Sequence, residues 1–187
     1  MLIVNFSPFP VLYTTRLVLK ALSKNDALSL AEMRSNSRVN EFLDRADTMS
    51  LKDAGIFIEN RIKDAEENES IMWAIHFKEQ SKMLGSICYW NIVAEKDKAE
   101  IGYEMHPDYY GKGIMHEAMQ AVIEYGFSMM KLKVIEAFPV KDNIKSIKLL
   151  ERNHFVRDYD IDNYSLSETE RLKTAVFILK NDTTRLL

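Results

Sequence analysis

Apolar and polar residues alternate along several short stretches of this chain, and elsewhere apolar residues recur at helical spacing. Alternation is typical of strands with one buried face, and it predicts strands at Arg16–Ala21, Met72–Lys78, Met83–Ile92, Lys98–His106, Lys133–Val140, Phe155–Asp160 and Thr174–Lys180. The longer period is typical of amphipathic helices, and it predicts helices at Ser23–Arg34, Ser50–Glu66, Gly113–Met130 and Asn143–Asn153. Alternating strands and helices, with hairpins between neighbouring strands, predict an α/β fold with a mixed sheet.

Local signals mark where the predicted helices and turns begin. Ser23 or Asn25 would cap the first helix, and Ser50 with Asp53 resembles a capping box at the start of the second. The polar segment Glu79–Lys82 would be the turn of a hairpin. In the third helix, the apolar residues that would pack on the sheet recur at helical spacing: Ile114, Ala118, Ala121, Val122, Tyr125 and Met129.

The composition is that of an ordinary globular chain. With 187 residues, of which 47% are hydrophobic, the chain has the length of one domain, and we expect a single domain over residues 1–187. Cys88 is the single cysteine, which excludes a disulfide within the chain, and its apolar surroundings favour a buried thiol over a nucleophile. The histidines do not cluster, so no metal site is expected; they are His76, His106, His116 and His154.

Charge and hydropathy narrow the class of partner. The N-terminal segment has no basic flank and is interrupted by Pro8 and Pro10, so a signal peptide is not expected. No apolar run approaches the roughly 18 residues of a membrane span, and we expect a cytoplasmic protein. A net charge of −3 gives no electrostatic basis for direct nucleic-acid binding, although it suits a basic protein tail as substrate.

Gly111-Lys112-Gly113 lies between a predicted strand and a predicted helix. The glycines let the backbone adopt dihedral angles closed to other residues, and a helix N-terminus attracts anions. The segment therefore predicts a phosphate site, with a purely structural turn as the alternative. A Walker loop is excluded because no Ser or Thr follows Lys112, and a dinucleotide fingerprint is excluded because its third glycine would fall at His116.

Several segments, in the same order along the chain, resemble the GNAT superfamily of acyl-CoA-dependent N-acyltransferases. They are Thr15–Leu19, Ser86–Asn91, Ala99–Tyr103, the turn Tyr110–Met115 and the helix Asn143–Phe155. Gly113 matches the pyrophosphate loop of that family, while the outer positions, Tyr110 and Met115, depart from the loop pattern. Those two residues occur in the branch that acetylates ribosomal-protein N-termini, and His154 replaces a glycine that is usual after the last helix. The resemblance implies a mostly antiparallel sheet flanked by helices, with the fourth and fifth strands splayed apart.

The resemblance also implies acetyl-CoA as the acyl donor. Its pantetheine arm would pair with the main chain of Glu104, Met105 and His106. Its pyrophosphate would bind the main-chain amides of the turn, with His116 nearby; these amides belong to Gly111, Lys112, Gly113, Ile114 and Met115. The Lys112 side chain would either contact the phosphate or remain solvated, and Asn143 would lie near the pantetheine, act as a helix cap, or do both.

For the chemistry, the resemblance implies Glu100 as the general base, because burial of an inward carboxylate raises its pKa toward neutrality. The alternative is that Glu100 only bonds neighbouring backbone or pairs with an arginine. Ser146 would donate a proton to the departing thiolate, or else is a helix serine without a catalytic part. The tyrosine that many relatives carry four residues later is Leu150 here. The Met105 N–H would bind the oxyanion.

These assignments predict an N-acetyltransferase that moves an acetyl group from acetyl-CoA to a primary amine by direct attack. The amine would be a protein N-terminus, such as that of a ribosomal protein, or would belong to a small molecule. A noncatalytic acyl-CoA-binding or sensory protein is the alternative, because Leu150 has no proton to donate. The acidic segment Asp158–Arg171 would be a loop that either receives a cationic acceptor or is only solvated.

Overall fold

A computed structural model describes residues 1–160, 164 and 166–181 of the chain. Within these residues the strands are β1 (Leu12–Tyr13), β2 (Leu17–Ala21), β3 (Ile71–Phe77), β4 (Met83–Val93), β5 (Lys98–Met105), β6 (Val134–Ala137), β7 (Val156–Asp158) and β8 (Val176–Lys180). They form one sheet with the order β1-β2-β3-β4-β5-β6-β8-β7. All neighbouring strands are antiparallel except β5 and β6, which are parallel. The predicted mixed, mostly antiparallel sheet is confirmed, with β1 as an additional short strand.

Six helices accompany this sheet in the described residues: α1 (Ala27–Arg34), α2 (Ser37–Asn40), α3 (Leu51–Glu66), α4 (Ile114–Ser128), α5 (Ile144–Arg152) and α6 (Glu168–Lys173). A 3-10 turn at Lys24–Asp26 precedes α1, so the first predicted helix has a tighter opening turn than expected. The capping box of Ser50 and Asp53 is present at the start of α3. His154 has a φ of 66°, the left-handed conformation in which a glycine is usual after a helix.

The acidic segment before the last strand was predicted to be a loop, and this prediction was wrong for its second part. Its second part forms α6, which begins with a capping box: the Ser167 N–H donates to the Glu170 carboxylate, and the Glu170 N–H donates to the Ser167 hydroxyl. Residues 161–163 and 165 of the segment lie outside the described residues. A contact between this segment and a cationic acceptor stays a prediction.

Helix α4 packs one face on the sheet, as its apolar period predicted. Ala118 and Val122 are buried, and the Tyr89 hydroxyl of β4 donates a hydrogen bond of 3.0 Å to the Val122 carbonyl. Gly126 permits this close approach, because a Cβ at that position would lie 2.5 Å from the Tyr89 oxygen. Helix and sheet therefore share one hydrophobic core.

The prediction that Met129 belongs to this apolar face was wrong. Met129 is 62% exposed, and the next residue, Met130, is buried instead. The reason is that α4 ends at Ser128, so the helical period no longer decides which side chain turns inward.

The parallel strands β5 and β6 separate after a short contact. They pair at Lys98–Val134, Ala99–Ile135 and Glu100–Glu136, and no further pair joins them in the described part of the chain. Beyond β6 the chain stays with the last strand instead, since the Ala175 N–H donates to the Pro139 carbonyl at 2.9 Å. Pro139 itself has no N–H to offer to β5. These strands are the fourth and fifth of the predicted strands, since β1 was not predicted, and the gap between them confirms the predicted separation.

A buried carboxylate–imidazole pair ties the start of α1 to β3. Asp26 Oδ1 lies 3.3 Å from His76 Nε2, and the two side chains are almost completely buried. Asp26 Oδ2 accepts bonds of 2.8 Å from the N–H and the hydroxyl of Ser23. Burial alone would raise the pKa of Asp26, but the interactions with His76 and Ser23 outweigh burial and lower the pKa below its ordinary value of 3.8.

We expect Asp26→Asn to lower the free energy of unfolding at pH 7 by about 2 kcal/mol, because it removes a buried carboxylate that accepts hydrogen bonds. A carboxyl group whose pKa is lowered by folding stabilises the fold above its ordinary pKa of 3.8, and this contribution is lost as the pH falls through the lower, folded-state pKa. The difference between wild type and variant in urea unfolding should therefore shrink below about pH 4.

The matched control for this experiment is Asp44→Asn, at an exposed position in the loop after α2. This variant should unfold at the same urea concentration as the wild type. A loss in Asp26→Asn that stays constant down to about pH 3 would contradict the stabilising role of the ionised carboxylate.

Candidate active site

A cleft of about 450 Å³ opens where β5 and β6 separate, within the ~300–1,000 Å³ usual for small-molecule sites. One wall is a single face of three strands. The register pairs Met72 with Cys88, Cys88 with Gly102 and Trp90 with Glu100, and residues directly opposite in antiparallel strands point to the same face. The facing wall carries Phe138, Pro139, Asn143 and Ser146. The cleft thus brings together Glu100 and Ser146, the two residues predicted to act in catalysis.

Glu100 presents a partly buried carboxylate to this cleft. Burial is the main reason that its pKa is raised from 4.5 to about 7. The Asn91 amide opposes this rise by donating a hydrogen bond of 2.9 Å to Glu100 Oε2, whereas the like charge of Glu136, its partner on β6, adds to it. A carboxyl group with a pKa near 7 suits a general base at neutral pH, and the catalytic role of Glu100 stays a prediction.

Asn91 owes its position to an irregularity of β4. The register between β4 and β5 shifts between Trp90 and Val93, and Asn91 has a φ of 45°. Asparagine enters this left-handed region more readily than most residues. A bulge of this kind redirects a side chain out of the alternating pattern of a strand, and here the Asn91 amide meets Glu100.

Ser146 lies across the cleft and is hydrogen-bonded to a tyrosine of β5. Its Oγ is 2.7 Å from Tyr103 Oη, and its N–H donates to the Asn143 side chain at 3.1 Å. Burial raises the pKa of Tyr103 above 10.0, although the bond with Ser146 lowers it, so the phenol keeps its proton at neutral pH. Leu150 is completely buried in the core. The expected cap at Asn143 is confirmed, whereas its contact with pantetheine stays a prediction.

The turn before α4 has the backbone that its glycines predict. Gly111 and Gly113 have φ angles of 73° and 72°, which favour glycine, and α4 begins directly after Gly113. The Glu117 N–H makes the first bond of the helix, to the Gly113 carbonyl. Amides in the first turn of a helix have no intrahelical acceptor and can bind an anion; here they belong to Ile114, Met115 and His116.

A salt bridge holds this turn against the start of β2. Arg16 Nε lies 2.6 Å from Glu117 Oε2, and Arg16 Nη1 donates to the Lys112 carbonyl at 3.2 Å. The Thr14 hydroxyl donates to the other Glu117 oxygen at 2.6 Å. Burial alone would raise the pKa of Glu117, but the bonds from Thr14 and Arg16 outweigh burial and lower it. The carboxylate therefore remains ionised at neutral pH and keeps the turn in place.

Two side chains of the turn were predicted to lie near a phosphate. Lys112 is exposed, with its ammonium 5.5 Å from the centre of the Tyr109 ring. His116 Nδ1 is buried and has no hydrogen-bond partner among the described residues. Phosphate binding by either side chain stays a prediction.

The main chain of β5 faces two different neighbours. The His106 N–H donates to the Leu84 carbonyl at 2.9 Å, and the His106 carbonyl accepts from Tyr109. Alternate residues of a strand direct their N–H groups to opposite edges, so Glu104 also faces β4, whereas the Met105 N–H faces the gap beside β6. The main-chain groups of His106 bond within the protein, to the sheet and to the following turn, and the pantetheine contacts predicted for Glu104 and His106 stay predictions. The contact predicted for Met105 is compatible with the geometry and stays a prediction.

The Glu104 side chain is held by two arginines. Its Oε1 lies 2.6 Å from Arg34 Nη2, and its Oε2 lies 2.7 Å from Arg45 Nη1. Arg34 is the last residue of α1, and Arg45 lies in the loop after α2. Both arginines line the cleft together with Glu104, so one anion and two cations lie on the same wall as Glu100.

Cys88 lies half-buried on this wall. Burial raises the pKa of its thiol to about 12. The thiol is therefore protonated at neutral pH, which argues against a nucleophilic role.

Among the residues that the structure describes, no group of three or more His, Cys, Asp and Glu side chains is placed to hold a metal ion. None of the described helices combines the length and the apolar character needed to cross a membrane.

Sequence reasoning missed four residues that the structure brings to the site. Arg34 and Arg45 reach Glu104 over 70 and 59 positions of the chain, and no local pattern announces such a contact. The contact of Tyr103 with Ser146 had no signal either, because the alternation of a strand does not show which distant element a side chain meets. Asn91 had a weak signal, since it is a polar residue at the position where the alternation of β4 ends.

Comparison with known proteins agrees with this geometry. A family model described as an acetyltransferase (GNAT) domain matches residues 16–156. The uncharacterized N-acetyltransferase p20 of Bacillus licheniformis is 31% identical over 171 residues, which cover 86% of this chain and 96% of the relative. The uncharacterized N-acetyltransferase YoaA of Bacillus subtilis (strain 168) is 28% identical over 169 residues, with coverage of 90% and 96%.

Among solved structures, RimL, a ribosomal L7/L12 alpha-N-protein acetyltransferase in complex with coenzyme A, has a similar fold. Its TM-score is 0.78 at 18% identity, and the match covers 91% of this chain and 98% of RimL. At this level of identity the likeness shows a shared fold. The family model, which spans most of the chain, shows more: the protein belongs to the GNAT acetyltransferase family.

Proposed function

We propose that the protein transfers an acetyl group from acetyl-CoA to a primary amine by direct attack, with Glu100 as the general base. The observation that carries this proposal is the carboxyl group of pKa about 7 in the cleft where β5 loses its neighbour. A protein N-terminus is the acceptor class to test first, because RimL, which shares the fold, is a protein acetyltransferase. A small-molecule amine is the second acceptor class.

The residues beside the gap fit the donor. The Met105 N–H faces the open edge of β5, where an extended arm can pair with the main chain as an added strand does. The amides at the start of α4, with the positive end of the helix dipole, suit the pyrophosphate. Acetyl-CoA supplies the activated thioester, and the chain has to position it, accept one proton and return another.

The proton transfers follow from the two walls of the cleft. Glu100, when ionised, accepts the proton that the amine loses as its nitrogen bonds to the acetyl carbon. In this proposal the Met105 N–H donates to the carbonyl oxygen while that oxygen carries charge. As the carbon–sulfur bond breaks, the thiolate takes a proton from the Ser146 hydroxyl, and Ser146 takes one from Tyr103 through their 2.7 Å hydrogen bond. When the products leave, water returns a proton to Tyr103 and Glu100 releases the proton of the amine to water, which restores both groups.

The function is tested by incubating the protein with acetyl-CoA and a panel of N-terminal peptides, amino acids and polyamines, while thiol release and acetylated product are measured. The proposal expects product with at least one amine and an equal amount of free CoA. Tight CoA binding without product from any amine would overturn it in favour of a noncatalytic acyl-CoA-binding protein.

Glu100→Gln should lower kcat about 100-fold or more, because the amide cannot accept the proton. In the wild type, kcat/KM should rise with pH through about 7, the pKa of Glu100, since only the ionised base is active. The variant should lose this limb and keep only the titration of the acceptor amine, near pH 8 for an α-amine. Glu95→Gln, at an exposed position, is the control, and an unchanged limb in Glu100→Gln would remove Glu100 from the mechanism.

Asn91→Gly should move the rising limb of the kcat/KM pH profile, which reports the ionisation of Glu100, to higher pH. The Asn91 hydrogen bond lowers the pKa of Glu100, so its loss raises that pKa and reduces the ionised fraction at neutral pH. Glycine accepts the positive φ at this position, and Lys131→Gly, at another residue of positive φ, 63°, controls for backbone effects. The pH profile of kcat/KM decides, because a purely structural role of Asn91 would lower activity without shifting the limb.

Ser146→Ala and Tyr103→Phe should each lower kcat about tenfold to 100-fold while leaving the affinity for CoA nearly unchanged, because both remove a proton donor to the thiolate. The double variant should be little worse than either single variant, since the two hydroxyls act in one chain. Tyr13→Phe, at a 71% exposed position, is the control. Independent, multiplying losses measured by steady-state kinetics would contradict the shared proton path.

A further inference from the structure

On the wall that carries Glu100, the single carboxylate of Glu104 is paired with two arginines. Glu104 Oε1 accepts from Arg34 Nε at 2.8 Å and lies 2.6 Å from Arg34 Nη2, while Oε2 accepts from Arg45 Nη1 at 2.7 Å. The Ser86 hydroxyl lies 3.3 Å from Oε1. One carboxylate is therefore fully occupied by two guanidinium groups, and its side chain is only 8% exposed.

The two guanidinium groups have donors left over. Each carries more N–H groups than these bonds use, and Arg45 Nη2 is buried without a hydrogen-bond partner among the described residues. A buried, unpaired donor on a charged group is costly. The cost is removed when a second acceptor, an anion above all, binds beside Glu104.

The arginines are held in place before any ligand arrives. The Arg34 guanidinium stacks on the Phe57 ring at 3.9 Å from its centre. Arg45 Nε donates to Asn40 Oδ1 at 2.9 Å, and the Asn40 amide donates to the Arg34 carbonyl at 2.8 Å. Donors fixed in this way lose little conformational freedom when they bind a carboxylate.

We propose that this cluster recognises the acceptor: the amine that the protein acetylates carries a carboxylate close to its nitrogen, and Arg34 and Arg45 bind that carboxylate. The inference rests on the proposed function. Glu104 directly precedes Met105, whose N–H faces the gap, so an anion at the arginines lies near the reacting carbonyl. The carboxylate comes from a free amino acid or from an acidic second residue of a peptide.

The charge of the wall argues against polycationic acceptors. The charged residues that line the cleft are Arg34, Arg45, Glu100 and Glu104. Glu104 is neutralised by the arginines, and Glu100 is protonated in part near pH 7. The end of the cleft beside Met105 is therefore positive, which repels a polyamine or a lysine-rich segment and attracts an anion.

The test is calorimetric titration of the protein saturated with CoA, which supports binding without reaction. Two pairs of ligands differ only in charge: serine against serinamide, and the peptide Ser-Asp-Ala-Ala-amide against Ser-Asn-Ala-Ala-amide. We expect the carboxylate member of at least one pair to bind about tenfold more tightly to the wild type. The pair that shows the preference identifies the source of the carboxylate.

Variants of the cluster should move this preference in opposite directions. Arg45→Gln should abolish it, whereas Glu104→Gln, which frees both guanidinium groups, should increase it. The double variant Arg45→Gln/Glu104→Gln removes one positive and one negative charge, so the net charge of the cluster stays that of the wild type. It tests recognition if Arg45→Gln alone fails to fold. Arg152→Gln, at an exposed position, is the control and should bind like the wild type.

Equal affinities within both pairs in the wild type would overturn the inference, and so would a preference that Arg45→Gln and Glu104→Gln weaken alike, because that pattern marks a structural ion cluster. The failure of the proposed function has a different signature. In that case no amine is acetylated by the wild type, while the calorimetric preference still reports on Arg34 and Arg45.

Discussion

The architecture depends on the point at which β6 leaves β5. Parallel pairing ends at Glu100 and Glu136, and the main chain of Pro139 and Val140 then pairs with the segment before β8. Buried backbone groups need hydrogen-bond partners. Because the Pro139 carbonyl already accepts a bond from the Ala175 N–H, it gains nothing by pairing with β5. The edge of β5 is left open from this point onward, and the open edge, the cleft and the place for an extended ligand are consequences of one diverted strand.

The same register sets the proton affinity of the candidate base. Glu136 lies directly opposite Glu100 and is itself compensated by Lys98, whose ammonium is 2.7 Å from the Glu136 carboxylate. The hydrogen bonds that Glu100 accepts from the Asn91 amide and the Trp90 side chain lower its pKa, but burial and the neighbouring carboxylate prevail and the pKa rises to about 7. A shift of one residue between β5 and β6 would remove this opposition of like charges.

The sequence predicted those features that local physics decides. Apolar periods located the strands after β1 and the four longest helices, α1, α3, α4 and α5. The Ser50–Asp53 capping box marked the start of α3, and Gly111 and Gly113 indicated a turn with positive φ. Met129 was assigned to the wrong face because a period says nothing about where a helix ends. Arg34, Arg45 and Tyr103 were missed for another reason: their partners are set by the approach of distant elements. Which main-chain groups of β5 face the gap could not be read from the sequence either, because the alternation of N–H groups along β5 depends on its register with β4.

The strand β5 separates the two halves of the proposed reaction. Its open main-chain edge, with the Met105 N–H, serves the donor, and a main chain can do so with almost any side chains. The side chains of Glu100, Gly102 and Glu104, which alternate onto one face, serve the base and the acceptor. Substitutions on that face, or at Arg34 and Arg45, which contact Glu104, can therefore change the acceptor without disturbing the donor. This division explains why the resemblance in sequence identifies the acyl donor so readily, while the acceptor has to be argued from the charges of one wall.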